Sequence, residues 1–377
     1  MSGLNGLLVK QGFEMNLVFF QNCVSPHQIP YIKEICNDKR VKDVFLFTPR
    51  IDYGQRKQMG WDSCGLLYDT NIKFKLQPLD KEVKNILNQD DVYALFSGIR
   101  ADKDVFKWFK LSLNYDVKRG IITEAPNIYP NKLLCIHKLR FLLQDYKYAK
   151  YINFIFAIGG QAVKYYTQWK INWRIFPFSY CTEICYDGEE PPPPVGNGVL
   201  NLLFVGRLDK RKNVLVVLRA LTALGRKSIN FGIIGDGPER SDLERYVKNK
   251  KLGNVTFYGS LEMNEVHRMM HGFDVLVLPS RYDGWGAVIN EALQCGLYVI
   301  CSSRCGAKAL VVNDRIGKVF CSKKELSNIL SNINYIDISQ TREYRLKWSD
   351  KISGKVLAKY FIDSLLSPTA IQVPWKQ

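Results

Sequence analysis

The feature that most limits how this chain can fold is a rhythm of short apolar runs separated by helix-like segments. Runs at 17–20, 44–47, 92–96, 120–123 and 151–157 are rich in Val, Ile, Leu or Phe. A second series lies at 201–205, 231–234, 255–258, 275–278 and 298–301. Each run is bounded by Gly, Pro or polar residues, the mark of a strand. Strands alternating with helices build parallel sheets, because a parallel connection needs a crossover long enough to hold a helix. The rhythm breaks once, at Asp187-Gly188-Glu189-Glu190, the four prolines Pro191 to Pro194, and Val195-Gly196-Asn197-Gly198. Such a stretch continues neither helix nor sheet and reads as a semi-rigid connector. The expected organisation is an N-terminal extension over 1–14, a doubly wound domain over 15–188 and a linker over 189–198. A second doubly wound domain follows over 199–340, then a helical C-terminal segment over 341–377.

With 377 residues, 46% of them hydrophobic, the chain can fill two such cores. No apolar run approaches the roughly 18–20 residues of a membrane span, and the opening residues, with Lys10 and Glu14 among them, make a poor signal peptide. Ten cysteines without metal-ligand spacing, and only four histidines, argue against a zinc site. They read as reduced thiols of a cytoplasmic protein. The net charge of +17 suits nucleic acid, an anionic membrane or phosphorylated substrates. Nucleic acid is disfavoured, because the basic residues are dispersed and no recognised binding motif is present. Part of the excess is local, with 14 Lys/Arg against 5 Asp/Glu between Arg100 and Arg174. Within that region, 131–150 reads as one basic helix carrying Leu139, Phe141, Leu142 and Leu143. It is either a core helix with a solvated basic face or a peripheral contact with an anionic membrane at the inner face of the cell membrane.

Three segments of the second half carry chemistry. Phe204-Val205-Gly206-Arg207 is a strand running into a glycine turn, followed by Lys210, Arg211 and Lys212. Ligands of open parallel sheets bind beyond the carboxyl ends of strands, where Arg207 and Lys212 would meet a diphosphate. Taken alone, this is equally a solvated basic turn. Ile233-Ile234-Gly235-Asp236-Gly237-Pro238 is a second strand-to-glycine turn. The third segment runs from Leu278 through Asp283, Gly284, Trp285, Gly286, Ala287 and Val288 to Glu291. It reads as a strand, a glycine loop and a helix starting near Gly286, whose first amides can hold an anion. Asp283 and Glu291 would approach one ligand from its two ends, and carboxylates accept hydrogen bonds from sugar hydroxyls.

From about Leu200 to Ala309, these segments, with Tyr258-Gly259-Ser260-Leu261 and Cys295-Gly296, resemble glycosyltransferase family 4, the retaining transferases of GT-B fold. The third segment is similar to the family's E-x7-E region, with Asp283 in place of the first glutamate. The resemblance implies two Rossmann-like domains facing across a cleft and metal-independent transfer from a nucleotide-diphosphate sugar, UDP-linked, to a glycan or lipid-linked saccharide of the bacterial polysaccharide type. Arg207 and Lys212 would hold the diphosphate, with the amides of Gly286, Ala287 and Val288. Glu291 would hold the ribose and Asp283 the transferred sugar, while Ser260 and Leu261 would lie near the base. Gly206, Gly235, Gly237, Gly284 and Trp285 would complete the donor site. No cofactor is implied. Attack on the front face of the donor, assisted by the leaving phosphate, belongs to the same resemblance, as does a last helix crossing back to the first domain.

On the acceptor side, His27, in the loop after the first strand, would meet a donor phosphate or an acceptor hydroxyl. Glu124, after the strand at 120–123, is the candidate acceptor-side catalytic residue. Two rival readings remain open: another GT-B enzyme, such as a sugar-nucleotide epimerase, and a sugar-nucleotide-binding protein without catalysis.

Overall fold

The structure, a computed structural model, describes residues 14–52, 67, 70–100, 102–126, 134–183, 198–225 and 228–376. The prolines of the linker and residues 1–13 lie outside the described residues.

Two parallel sheets form the molecule. The first has seven strands: β1 (Met15–Phe20), β2 (Val41–Thr48), β3 (Lys73–Leu76), β4 (Val92–Phe96), β5 (Lys118–Glu124), β6 (Phe154–Ile158) and β7 (Arg174–Phe178). The second has six: β8 (Leu200–Val205), β9 (Ile229–Ile234), β10 (Val255–Gly259), β11 (Val275–Leu278), β12 (Tyr298–Ser302) and β13 (Gly317–Phe320). The spatial orders are β3-β2-β1-β4-β5-β6-β7 and β10-β9-β8-β11-β12-β13. Each sheet therefore reverses direction beside its first strand, the doubly wound pattern of a Rossmann-like domain. Helices cover both faces, so central strands are largely apolar and buried. All six residues of β1 and all four of β11 are buried.

Three strands escape the sequence pattern, and each is an edge. β3 reads KFKL with only Phe74 half-buried, β7 reads RIFPF, and β13 reads GKVF. An edge strand needs no donors on its outer side, so it tolerates Pro177 and carries charges that hide it from a search for apolar runs. The stretch at 151–157 is also shorter than expected. Its strand begins at Phe154, after a turn at Lys150 and Tyr151, and Asn153 accepts the Arg119 amide through Oδ1 at 2.8 Å.

The basic segment expected as one helix over 131–150 is interrupted, and 131–133 lie outside the described residues. An α-helix, Leu134–Arg140, passes into a π-turn, Phe141–Asp145, and resumes over Tyr146–Ala149. The wider turn points Phe141 inward, where it stacks on Trp169 at 4.1 Å.

The C-terminal segment is likewise two pieces. Arg342–Ser349 stays on the second domain, where buried Arg345 donates to the Gly296 and Ile338 carbonyls, both at 2.8 Å. After a 3-10 turn, Asp350–Ile352, the helix Gly354–Leu366 packs on the first domain. Its Phe361 stacks on Phe156 at 4.3 Å, and Tyr360 donates to the Pro177 carbonyl at 3.0 Å. Burying a side chain such as Phe361 contributes about 1.5–3 kcal/mol. Ser353 caps this helix through Val356 N. A Cβ on Gly354 would stand 2.7 Å from the Pro30 carbonyl oxygen, so only glycine allows the close approach.

Candidate functional site

The site begins where β8 and β9 end. Gly206 and Gly235 follow these strands and pack backbone to backbone. Gly235 has φ +129°, and a Cβ there would overlap the Gly206 carbonyl. Only glycine meets both demands. Gly237 is pressed against the Leu208 backbone in the same way, with Leu208 N donating to Asp236 O at 2.9 Å. These contacts fix the turn from which Arg207, Arg211 and Lys212 project.

The cations differ in setting. Lys212 and Asp283 are each 12% exposed, and Nζ lies 2.6 Å from Oδ2. Asp283 also accepts from Ser280 Oγ at 3.4 Å and has Arg211 Nη1 at 3.9 Å. Arg211 in turn donates to the Tyr282 carbonyl at 3.3 Å. Arg207 stands out into solvent at 49% exposure, with Asp209 at 3.9 Å. One ammonium hydrogen serves Asp283, which leaves Lys212 two further donor directions for phosphate oxygens. The basic turn of the sequence is thus divided, with Lys212 and Arg211 tied to Asp283 and Arg207 free of that carboxylate.

The loop after β11 is clamped from behind. Gly306 N donates to Asp283 O at 3.1 Å and Ala307 N to Trp285 O at 2.8 Å. Gly286 has φ +92° and presses against Leu278. The helix expected near Gly286 starts at Val288 and is seven residues long, because this φ holds Gly286 outside helical geometry. The amides of Ala287, its N-cap, and Val288 nevertheless open the helix, where a helix has no internal acceptors, and Gly286 immediately precedes them.

Glu291 projects from this helix into a nearly closed space. Burial pushes its carboxyl up to about 7, against the lowering effect of Lys212. His267 Nε2 lies 3.9 Å from Glu291 Oε2. Burial first, and then His271, push His267 down to about 4. The two are close enough to form an ion pair, but His267 is neutral near pH 7, so the contact there is not a salt bridge.

The first domain meets this loop with Glu124, the last residue of β5 rather than part of the loop beyond it. Its carboxyl lies so close to Gly284 that any Cβ there would overlap Oε2. Tyr282 donates to the Ala125 carbonyl at 3.3 Å. Burial, then Glu124 and Asp283, push the Tyr282 phenol up to about 12, so it stays protonated and able to donate. The arrangement gathers Gly206, Arg207, Lys212, Gly235, Asp283, Gly284, Gly286 and Glu124 around one cleft edge.

Other residues fall elsewhere. The Trp285 side chain is 2% exposed and faces away from this edge, its indole donating to Asn290 Oδ1 at 2.7 Å. Ser260 and Leu261 follow β10, the strand at the sheet edge, Ser260 exposed and Leu261 half-buried. They reach the site through Gly259, whose carbonyl accepts from Gly235 N at 2.7 Å. His27 sits against Tyr180, ring centroids 5.8 Å apart. Arg211, Tyr282 and His267 were not legible as site residues. Arg211 lies inside a basic run where nothing distinguishes one cation from another, and His267 lies on a separate helix, Met263–Met270.

Residues 194–350 match the model of the family described as glycosyl transferases group 1. Glycogen synthase of Mycobacterium tuberculosis is 30% identical over 142 residues, which cover 37% of this chain and 34% of that protein. The chain thus matches about a third of that relative's length. The lipopolysaccharide outer core galactosyltransferase WaaB, in its apo form, superposes with a TM-score of 0.66 at 15% identity, covering 94% of this chain and all of that one. Anabaena HepE, solved in complex with UDP and glucose, superposes with a TM-score of 0.64 at 13% identity, covering 93% and 99%. Residues 194–350 are therefore similar to the group 1 glycosyl transferases, within a chain whose two-sheet architecture is the GT-B fold.

Proposed function

We propose that the chain is a retaining, metal-independent glycosyltransferase that moves a sugar from a UDP-linked donor to a saccharide or lipid-linked saccharide. The observation that carries this reading is the Lys212–Asp283 pair, flanked by Arg211 and faced by Glu124 from the other domain. Lys212, with Arg207 at the rim, offsets charge on the departing diphosphate, and a cation already held in place, as Lys212 is, does so without reorganising. The first amides of the Val288–Gln294 helix add donors to the same phosphates. Asp283 accepts hydroxyls of the transferred sugar and Glu291 those of the ribose. UDP is favoured as the carrier because HepE, a neighbour in fold, was solved with UDP and glucose. Glu124 binds or deprotonates the acceptor hydroxyl.

A lipid-linked acceptor is supported by the interrupted basic segment. Ile136, Leu139, Leu142, Leu143 and Tyr146 are all more than half exposed, beside Arg140, Lys147 and Lys150. Apolar side chains among cations suit the surface of an anionic membrane. Among the described residues no helix is long and apolar enough to cross one.

A thermal-shift screen against UDP-, GDP- and dTDP-sugars tests the donor assignment. Saturation at about 100 times Kd stabilises the folded chain by about 2.7 kcal/mol, and the UDP series is expected to give the largest shift. Equal or absent shifts across all three would refute it.

A further inference from the structure

Residues 179–182 leave β7 and carry the chain away from the first sheet. From the first domain they are held by Cys181 N, which donates to the His27 carbonyl at 3.2 Å, and by the contact of Tyr180 with His27. From the second domain they are held by the Val288–Gln294 helix. Asn290 Nδ2 donates to the Tyr180 carbonyl at 2.9 Å, and Gln294 Nε2 donates to the Thr182 carbonyl at 2.7 Å. Thr182 Oγ1 returns a bond to Gln294 Oε1 at 2.6 Å. Positions 290 and 294 are four apart and share a helix face. Glu291, one position on, faces a different direction and belongs to the donor site.

Asn290 is fully buried, and the other end of its amide accepts the Trp285 indole. Trp285 lies between Gly284 and Gly286, in the loop that presents the phosphate-binding amides. Its ring stands edge-on to Tyr180 at 6.2 Å and reaches Gly159, at the end of β6 in the first domain. One amide group thus joins the donor loop, the donor helix and the segment that leaves the first domain.

We propose that Asn290 is a positioning residue that makes the donor loop and the segment 179–182 one unit, so that donor occupancy is transmitted to that segment and the first domain. The idea rests on the donor reading above. When UDP restrains the loop and the first turn of the helix, Asn290 and Gln294 restrain 179–182 with them.

Hydrogen-exchange mass spectrometry on the full chain, with and without UDP, tests this. At about 100 times Kd, a segment that opens only in the free state slows by up to about 100-fold. In the wild type, UDP is expected to slow exchange in peptides covering both 286–294 and 179–183. In Asn290→Ala, slowing is expected to persist over 286–294 and to fall severalfold over 179–183, where only the Gln294–Thr182 bonds remain. Asn290→Asp keeps the acceptor for the indole and, once ionised, cannot donate to Tyr180, so above its pKa it should behave like the alanine variant with the loop intact. A residue of merely structural importance would lower Tm and leave the UDP response of 179–183 in place, which would overturn the proposal. So would a wild type in which UDP slows 286–294 alone. No slowing at 286–294 in the wild type would instead defeat the donor reading. If Asn290→Ala does not fold, Gln294→Ala, which loses the Thr182 bonds only, must weaken the response over 179–183 or the proposal fails.

Discussion

On the donor side, Lys212 and Asp283 are 71 residues apart but lie on the carboxyl edge of one sheet, and everything that fixes them belongs to that sheet's own turns. On the facing side, Glu124 reaches the same loop from a different sheet, and its position depends on how two domains meet. The first kind of site is built by local rules. Glycines pack where two turns touch, a carboxylate holds a lysine, and a short helix follows a strand. The second kind is built by juxtaposition, which no local rule specifies. The two sides should therefore fail in different ways when altered.

Lys212→Ala is expected to have the largest effect. It removes a phosphate cation and leaves the Asp283 carboxylate, 12% exposed, without its closest partner. A loss of about 10²–10³-fold in kcat/KM follows, together with weaker UDP binding, measured by steady-state kinetics and calorimetry. Glu124→Ala should cost about 10²-fold in kcat with little change in donor affinity. If both parameters fell together, the division between the two sides would be wrong. Gly284→Ala sharpens the same point from the opposite face. Its methyl group overlaps Glu124 and must push the domains or the carboxylate apart, for an expected loss of up to about 10²-fold in turnover while UDP still binds.

How much of this was readable in advance follows the same division. The doubly wound pattern showed in the apolar runs of the central strands, while β3, β7 and β13 were hidden because edges carry Lys, Pro and Gly. Gly206, Gly235, Lys212 and Asp283 could be singled out because each sits at a fixed offset from a strand end. Their clustering is a property of the sheet. Glu124 could be named from its strand, but its contact with Gly284 could not, since nothing near either residue encodes the other. Trp285 was read as part of the donor site from its neighbours, yet burial and the Asn290 bond turn its side chain away. His267 left no signal, because a buried histidine on a separate helix looks like any core residue.

Smaller effects come from titration and from the surface. Glu291 is held near 7 by burial, above the ordinary carboxylate range. On the proposed role of Glu291, ribose hydroxyls donate to the ionised form, so donor binding releases a proton and affinity rises as pH rises through about 7. From pH 6 to pH 8 the ionised fraction grows about tenfold, and apparent UDP affinity should follow by a similar factor. Glu291→Gln should flatten that profile, and an unchanged slope would remove Glu291 from donor binding. Leu143→Asp places a charge at a side chain that is 72% exposed, so stability should change by no more than about 0.5 kcal/mol. Co-sedimentation with vesicles containing phosphatidylglycerol should fall severalfold in this variant. Equal sedimentation of both proteins would count against the membrane contact.

The most direct test of the central claim is calorimetric titration of the wild type, Lys212→Ala and Glu124→Ala with UDP. The account predicts one UDP bound per wild-type chain, affinity weakened at least about tenfold in Lys212→Ala, and affinity essentially retained in Glu124→Ala. Wild-type affinity in Lys212→Ala, or loss of binding in Glu124→Ala alone, would contradict it.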